Sequence, residues 1–134
     1  MKKSRIVAVA TVVAATLAAA PAFGAVEARV LANGPHTISR GVATVDLFVD
    51  CIDSETGSDL RTNATLTVTL TEGHRSVTKS REFQCFGDDL VDIPFRGFHP
   101  GAAFVEAMLT ACDVNNPADC ETSSLVTEIT LVRD

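Results

Sequence analysis

From Thr65 to Thr71 the chain places threonine at every second position, with Leu66, Val68 and Leu70 between. Successive side chains on an extended strand point to opposite faces, so this run puts three aliphatic residues on one side and four hydroxyls on the other. A helix would scatter both sets around its axis. The segment is therefore a half-buried β-strand, and other segments repeat its period. Val45, Leu47, Val49 and Cys51 alternate with Thr44, Asp46, Phe48 and Asp50. Residues 77–83 form a more polar strand whose Lys79 and Arg81 mark an edge. Residues 90–95 carry Pro94, again an edge feature. Residues 103–112 alternate weakly and have helical propensity, but Pro100-Gly101 launches them and Cys112 ends them, which predicts a strand. Leu125, Ile129 and Leu131 share one face of a last strand, and residues 26–31 open the series. Turn-forming clusters separate these runs, among them Asn33-Gly34-Pro35, Glu72-Gly73-His74, Gly87-Asp88-Asp89 and Asn115-Asn116-Pro117. Short strands with turns at intervals of roughly ten residues predict an all-β fold, an Ig-like β-sandwich of about seven antiparallel strands.

The N-terminus reads as a targeting segment. Lys2, Lys3 and Arg5 precede an uncharged apolar run over residues 6–20, Pro21 breaks it, and Ala22-Phe23-Gly24 offers small residues at a cleavage site before Ala25. This is the three-part secretory pattern. The apolar run is about 15 residues, short of the roughly 20 that a spanning helix needs. The expected organisation is a signal peptide over 1–24 and a secreted β-sandwich domain over 25–134, extracellular and without a membrane anchor after cleavage. The Ala-rich leader fits a bacterium with a GC-rich genome.

The leader holds three of the 11 basic residues and none of the 17 acidic ones, which leaves eight basic against 17 acidic residues in 25–134, a net charge of −9. Such a surface repels nucleic acid and anionic membranes, so neither is an expected partner. Trp and Tyr are absent, which counts against stacking of sugars. The four cysteines, Cys51, Cys85, Cys112 and Cys120, all lie after the leader. An even count in a small exported domain reads as two disulfides. No Cys-x-x-Cys pair occurs and no histidine lies within six residues of a cysteine, so zinc spacing is missing. Of the three possible pairings, Cys51–Cys85 with Cys112–Cys120 is favoured, because the second pair is close in sequence and flanks a turn-rich loop. Cys51–Cys112 with Cys85–Cys120, an inter-sheet bridge of the antibody kind, is the rival.

Catalytic chemistry finds no carrier. A nucleophile needs a base beside it, and His36, His74 and His99 each neighbour Gly or Pro in expected turns, where solvated loop residues sit. There is no Gly-x-Ser-x-Gly and no His-Glu-x-x-His. No enzyme activity and no cofactor are expected. Calcium is the one metal worth weighing, because Asp50, Asp53, Glu55 and Asp59 crowd one loop around Gly57, and Asp113, Asn115, Asn116 and Asp119 crowd another. Acidic turns of this kind are commonly only solvated.

The Ala-rich leader, Cys51 ending an alternating strand, Gln84-Cys85-Phe86-Gly87 after a polar strand, and Phe98-His99-Pro100-Gly101-Ala102 before an alternating one are shared features. On these the chain resembles the small secreted Ig-like β-sandwich proteins of actinobacteria that have no assigned function, over most of residues 40–134. The resemblance implies a fold and no activity. Asn116-Pro117-Ala118-Asp119 is similar to the enediyne-antibiotic carrier proteins of the neocarzinostatin type, although a Cys51–Cys85 bridge departs from their two short-range bridges. The expected function is a secreted, non-enzymatic binding or structural module with an extracellular partner of unknown identity. The rivals are a small-ligand carrier, with Phe86, Phe95, Phe98 and Phe104 lining an apolar cleft, and a calcium-dependent surface adhesion module.

Overall fold

The computed structural model describes residues 26–134. The expected signal peptide over 1–24 lies outside the described residues. Seven strands follow one another: β1 (Val26–Ala32), β2 (His36–Ser39), β3 (Val42–Asp53), β4 (Arg61–Glu72), β5 (Arg75–Arg96), β6 (Gly101–Asp113) and β7 (Asn116–Arg133). The described residues form no helix. Alternation decides the layout, as the sequence predicts. Leu47, Val49, Leu66, Val68, Leu70, Val105 and Leu109 are fully buried, while their odd-even neighbours face outward.

Pairing arranges the strands as an Ig-like sandwich. β3 joins β1 on one side and residues 87–96 of β5 on the other, giving a three-stranded sheet. Residues 75–86 of β5, then β4, β6 and β7, give a four-stranded sheet. β2 runs parallel to β7 and antiparallel to β3, and so ties the two sheets together along one flank.

The long β5 corrects the sequence reading. Residues 77–83 and 90–95 are expected as two strands with a turn at Gly87-Asp88-Asp89, but they form one strand that leaves the four-stranded sheet and enters the three-stranded one. Gly87 makes the crossing possible. Its φ is +67°, and a Cβ there would stand 2.6 Å from Cγ of Asp59. Only a residue without a side chain fits that backbone and that gap. The strand count of seven is kept by β2, a short element absent from the sequence expectation.

The Cys51–Cys85 disulfide fastens the same crossing. Cys51 is the register partner of Gly87 on β3, and Cys85 is the partner of Thr62 on β4. Both cysteines are fully buried, and the Thr62 hydroxyl donates to the Cys85 carbonyl at 2.9 Å. Cys112–Cys120 joins directly opposed residues of the β6–β7 hairpin, with Cys120 exposed. Pro94 and Lys79 lie where edges are expected, since β5 has no partner beyond β3 and β4.

Candidate functional site

The outer face of the four-stranded sheet is built by the same alternation that builds the core. Thr65, Thr67, Thr69 and Thr71 point outward from β4 because Leu66, Val68 and Leu70 point inward. The facing half of β5 offers Ser80, Thr78 and Ser76 in register, and three cross-strand hydroxyl pairs result. Thr71–Ser76 and Thr69–Thr78 are 2.7 Å apart and Thr67–Ser80 is 3.0 Å apart. Thr110 of β6 and Thr122 of β7 add a fourth pair at 2.9 Å. Each hydroxyl meets a partner on the neighbouring strand, so this exposed ladder consists of cross-strand pairs of hydroxyl groups.

Next to that ladder the character turns apolar. Phe104 is 53% exposed, Met108 48% and Val126 68%. The register sets Met108 between Thr67 and Ser124, and Glu106 between Thr69 and Val126. These residues surround a shallow cleft of about 300 Å³ lined by Thr67, Thr69, Glu106, Met108, Ser124 and Val126. Outward-facing β6 side chains normally meet water, so large apolar groups there form the kind of patch that marks an interaction site. The threonine row was visible in the sequence as one face of a strand. The apolar neighbours were not, because the weak alternation of residues 103–112 gave no reason to assign Phe104 and Met108 to the outside.

Several sequence candidates come apart in three dimensions. Phe95 and Phe98 are core residues in edge-to-face contact, ring centroids 6.1 Å apart. Phe86 lies half exposed with the Arg61 guanidinium 5.0 Å from its ring. The four phenylalanines therefore line no common cleft. Among the described residues no three His, Cys, Asp or Glu side chains converge as metal ligands would. In the first acidic loop, Asp53 Oδ1 accepts the backbone N–H of Glu55 at 2.8 Å, Asp59 packs over Gly87, and Asp50 approaches Arg29 at 3.8 Å. The three carboxylates point to separate places, Asp53 to its own turn, Asp59 to Gly87 and Asp50 Oδ2 to Arg29. In the second, Asp113 Oδ1 accepts from the Asn115 N–H at 2.9 Å, while Asp119 is buried.

The histidines need one correction. His74 and His99 are exposed, the latter 3.2 Å from Glu72, but His36 is buried at the start of β2 and its Nδ1 accepts the Asp46 N–H at 3.3 Å. Burial holds the His36 pKa below its ordinary value. On the three-stranded sheet, Asp46 lies opposite Asp92 and Asp50 opposite Asp88. Desolvation, then the hydrogen bond and charge of Asp92, push the Asp46 pKa up to about 6. Asp50 is also raised, chiefly by desolvation and then by Asp88, against the pull of Arg29.

No protein-family description matches this chain, and no curated protein does. Among solved structures, it overlaps the CARDB domain of the PF1109 protein from Pyrococcus furiosus, solved with di-metal ions, at 10% identity and a TM-score of 0.39, over 81% of this chain and 94% of that one. It also overlaps Spo0M, the sporulation control protein of Bacillus subtilis, at 11% identity and a TM-score of 0.33, over 81% of this chain and 50% of that one. Both overlaps are too loose to bear on what this chain binds. The assignment of the fold rests on its own strand pairing.

Proposed function

We propose that the chain is an exported, non-enzymatic binding module that presents the outer face of its four-stranded sheet to an extracellular partner. The observation that carries this reading is the cluster of Phe104, Met108 and Val126, each about half exposed or more, beside a self-satisfied hydroxyl ladder. Hydroxyls and apolar groups around the single cleft carboxylate of Glu106 favour a partner surface that is mostly uncharged but offers a donor or cation to that carboxylate, because a buried charge without a partner is costly. Export rests on the leader pattern of the sequence. Two disulfides fit an oxidising compartment, and among the described residues no helix is long and apolar enough to cross a membrane. A photo-crosslinking residue at position 108 tests the reading in the exporting cell. Adducts should form from position 108 and not from the exposed position 133, and equal labelling from both would refute it.

A small-ligand carrier is the second reading, favoured by the cleft, whose roughly 300 Å³ reaches the lower end of the range for ligand pockets. Native mass spectrometry of the purified chain separates the two. A bound mass lost on Met108→Glu substitution identifies a carrier, and a bare chain leaves the protein-binding reading.

A further inference from the structure

The four-stranded sheet ends on β7. β6 pairs with β7 from Cys120 to Leu131, and β2 lies on its other side only at Leu131, Val132 and Arg133. Among the described residues, no strand pairs with that other side of residues 120–130. The phase of the ladder sets which backbone groups face the open side. Cys112 and Cys120 are opposed with Cα atoms 4.0 Å apart, the narrow spacing of a pair that exchanges no hydrogen bonds in an antiparallel ladder. By period 2, Thr122, Ser124, Val126 and Glu128 belong to pairs of the same kind, and their N–H and C=O groups point away from β6. The Glu128 carbonyl accordingly accepts from the hydroxyl of its neighbour Thr127, at 3.4 Å.

An open strand is a template for pairing unless charge, proline or a bulge guards it. The opposite margin of the sheet, residues 75–86 of β5, carries Arg75, Lys79 and Arg81. From Thr122 to Thr127, β7 carries no charge, no proline and no glycine, and its register with β6 is regular from Cys120 onward. The flank behind it is not sealed. Ser123, Leu125 and Thr127 point inward yet are only half-buried, while Val105 and Leu109 of β6 are fully buried. Ser124 and Val126 also line the candidate cleft, so cleft and margin form one continuous surface. A second copy of this chain does not fit there. Antiparallel self-pairing about Leu125, which engages the whole open run, sets the copy's residues 117–119 against 131–133, where β2 already lies. A separate extended segment that stops short of Leu131 meets no such obstacle.

We infer that the partner of this face is a protein that contributes an extended segment, which joins the four-stranded sheet as an added strand beside β7. The inference rests on the binding-module reading and supplies the form of the partner. The segment's backbone bonds to the free N–H and C=O groups of Thr122, Ser124, Val126 and Glu128, and its side chains give specificity. Alternate side chains lie on the outer face beside Ser124 and Val126, where hydroxyl and β-branched groups fit. A lysine or arginine of the segment fits opposite Glu128.

A phage-displayed library of random peptides, selected on the purified, disulfide-bonded chain, tests this. Enriched peptides should be rich in β-branched and hydroxyl side chains, with lysine or arginine in place of acidic residues. In amide hydrogen exchange, Thr122, Ser124, Val126 and Glu128 should exchange fast in the free chain and about tenfold or more slowly with such a peptide bound. Ser123, Leu125 and Thr127, already bonded to β6, should be protected in both. Ser124→Pro removes a donor that the β6–β7 ladder does not use, so peptide binding should weaken about tenfold with the melting temperature little changed. If that variant unfolds, the exchange pattern decides alone. No enriched peptide, or a bound peptide that leaves the four β7 amides fast, overturns the inference. So does a peptide-free chain that dimerises and protects the same four amides, which assigns the margin to a second copy. Peptides that bind Ser124→Pro unchanged but are lost on Met108→Lys overturn the added strand and leave the binding face standing. Peptides indifferent to both variants overturn it as well, and crosslinking from position 108 then decides the face separately.

Discussion

Replacing Cys51 and Cys85 by alanine should cost far more stability than replacing Cys112 and Cys120. The first bridge closes 34 residues of chain and the second closes eight. On the chain-entropy account these loops are worth about 4 and about 2.5 kcal/mol. Environment widens the gap. Both Cys51 and Cys85 are fully buried at the point where β5 changes sheets, and removing two packed sulfur atoms leaves a void worth roughly 1 kcal/mol more. Cys120 is exposed and its neighbours already pair across a hairpin, so no comparable void opens there. The totals are about 5 and about 2.5 kcal/mol. At about 4 °C per kcal/mol for a domain of this size, the expected falls in melting temperature are close to 20 °C for Cys51→Ala/Cys85→Ala and about 10 °C for Cys112→Ala/Cys120→Ala. Urea titration followed by far-ultraviolet circular dichroism, with calorimetry on the same samples, measures both. Equal losses, or a larger loss from the hairpin bridge, would refute the view that the crossing is the more demanding element.

Other outcomes follow from the same geometry. Asp46, with its pKa raised from an ordinary 3.8 to about 6, is held less favourably as a carboxylate in the fold than in the unfolded chain. Its penalty is absent below pH 4 and fully present above pH 6, so stability from this group falls as pH rises through that window. Asp92→Asn should therefore stabilise the domain by at most about 1 kcal/mol at pH 7.5, well below the full shift because desolvation, its largest cause, persists in the variant and solvent screens the pair, and by much less at pH 4.5. Denaturant midpoints at the two pH values check this. His36, with its pKa lowered by burial, acts in the opposite sense and loses stability as pH falls below about 6.5, so wild-type and D92N profiles must be compared at each pH. Gly87→Ala should destabilise by more than 2 kcal/mol through its positive φ and the contact with Asp59. Asp59→Ala in the same chain should recover part of that loss in a double-mutant cycle. Met108→Lys should leave the melting temperature within about 2 °C of wild type, since the side chain is half exposed, while removing the crosslinks formed from the neighbouring position 126.

Much of the architecture was legible because a sandwich strand needs only a period of two. The threonine row of β4 and the Val45–Leu47–Val49–Cys51 series of β3 lie as the alternation requires, and the edge positions of Lys79 and Pro94 follow from local chemistry. The crossing was not legible. Gly87-Asp88-Asp89 has the composition of a turn, and what keeps it extended is Asp59, 28 positions away in sequence, together with a bridge to β3. β2 was missed because His36, Thr37, Ile38 and Ser39 are too few to show a period, and the burial of His36 depends on a hydrogen bond from β3. The candidate face was half legible. Four threonines announce an outward surface, but whether Phe104 and Met108 join it depends on the register of β6 against β4, which residues 103–112 alone do not specify.

Chemical-shift mapping of the isotopically labelled domain tests most directly whether the four-stranded face is the binding surface. Spectra are compared before and after addition of the partner or ligand recovered from position 108. The largest changes should fall on Thr67, Thr69, Glu106, Met108, Ser124 and Val126, the residues around the cleft. Changes concentrated instead on β1 and β2, with those six amides unmoved, would contradict it.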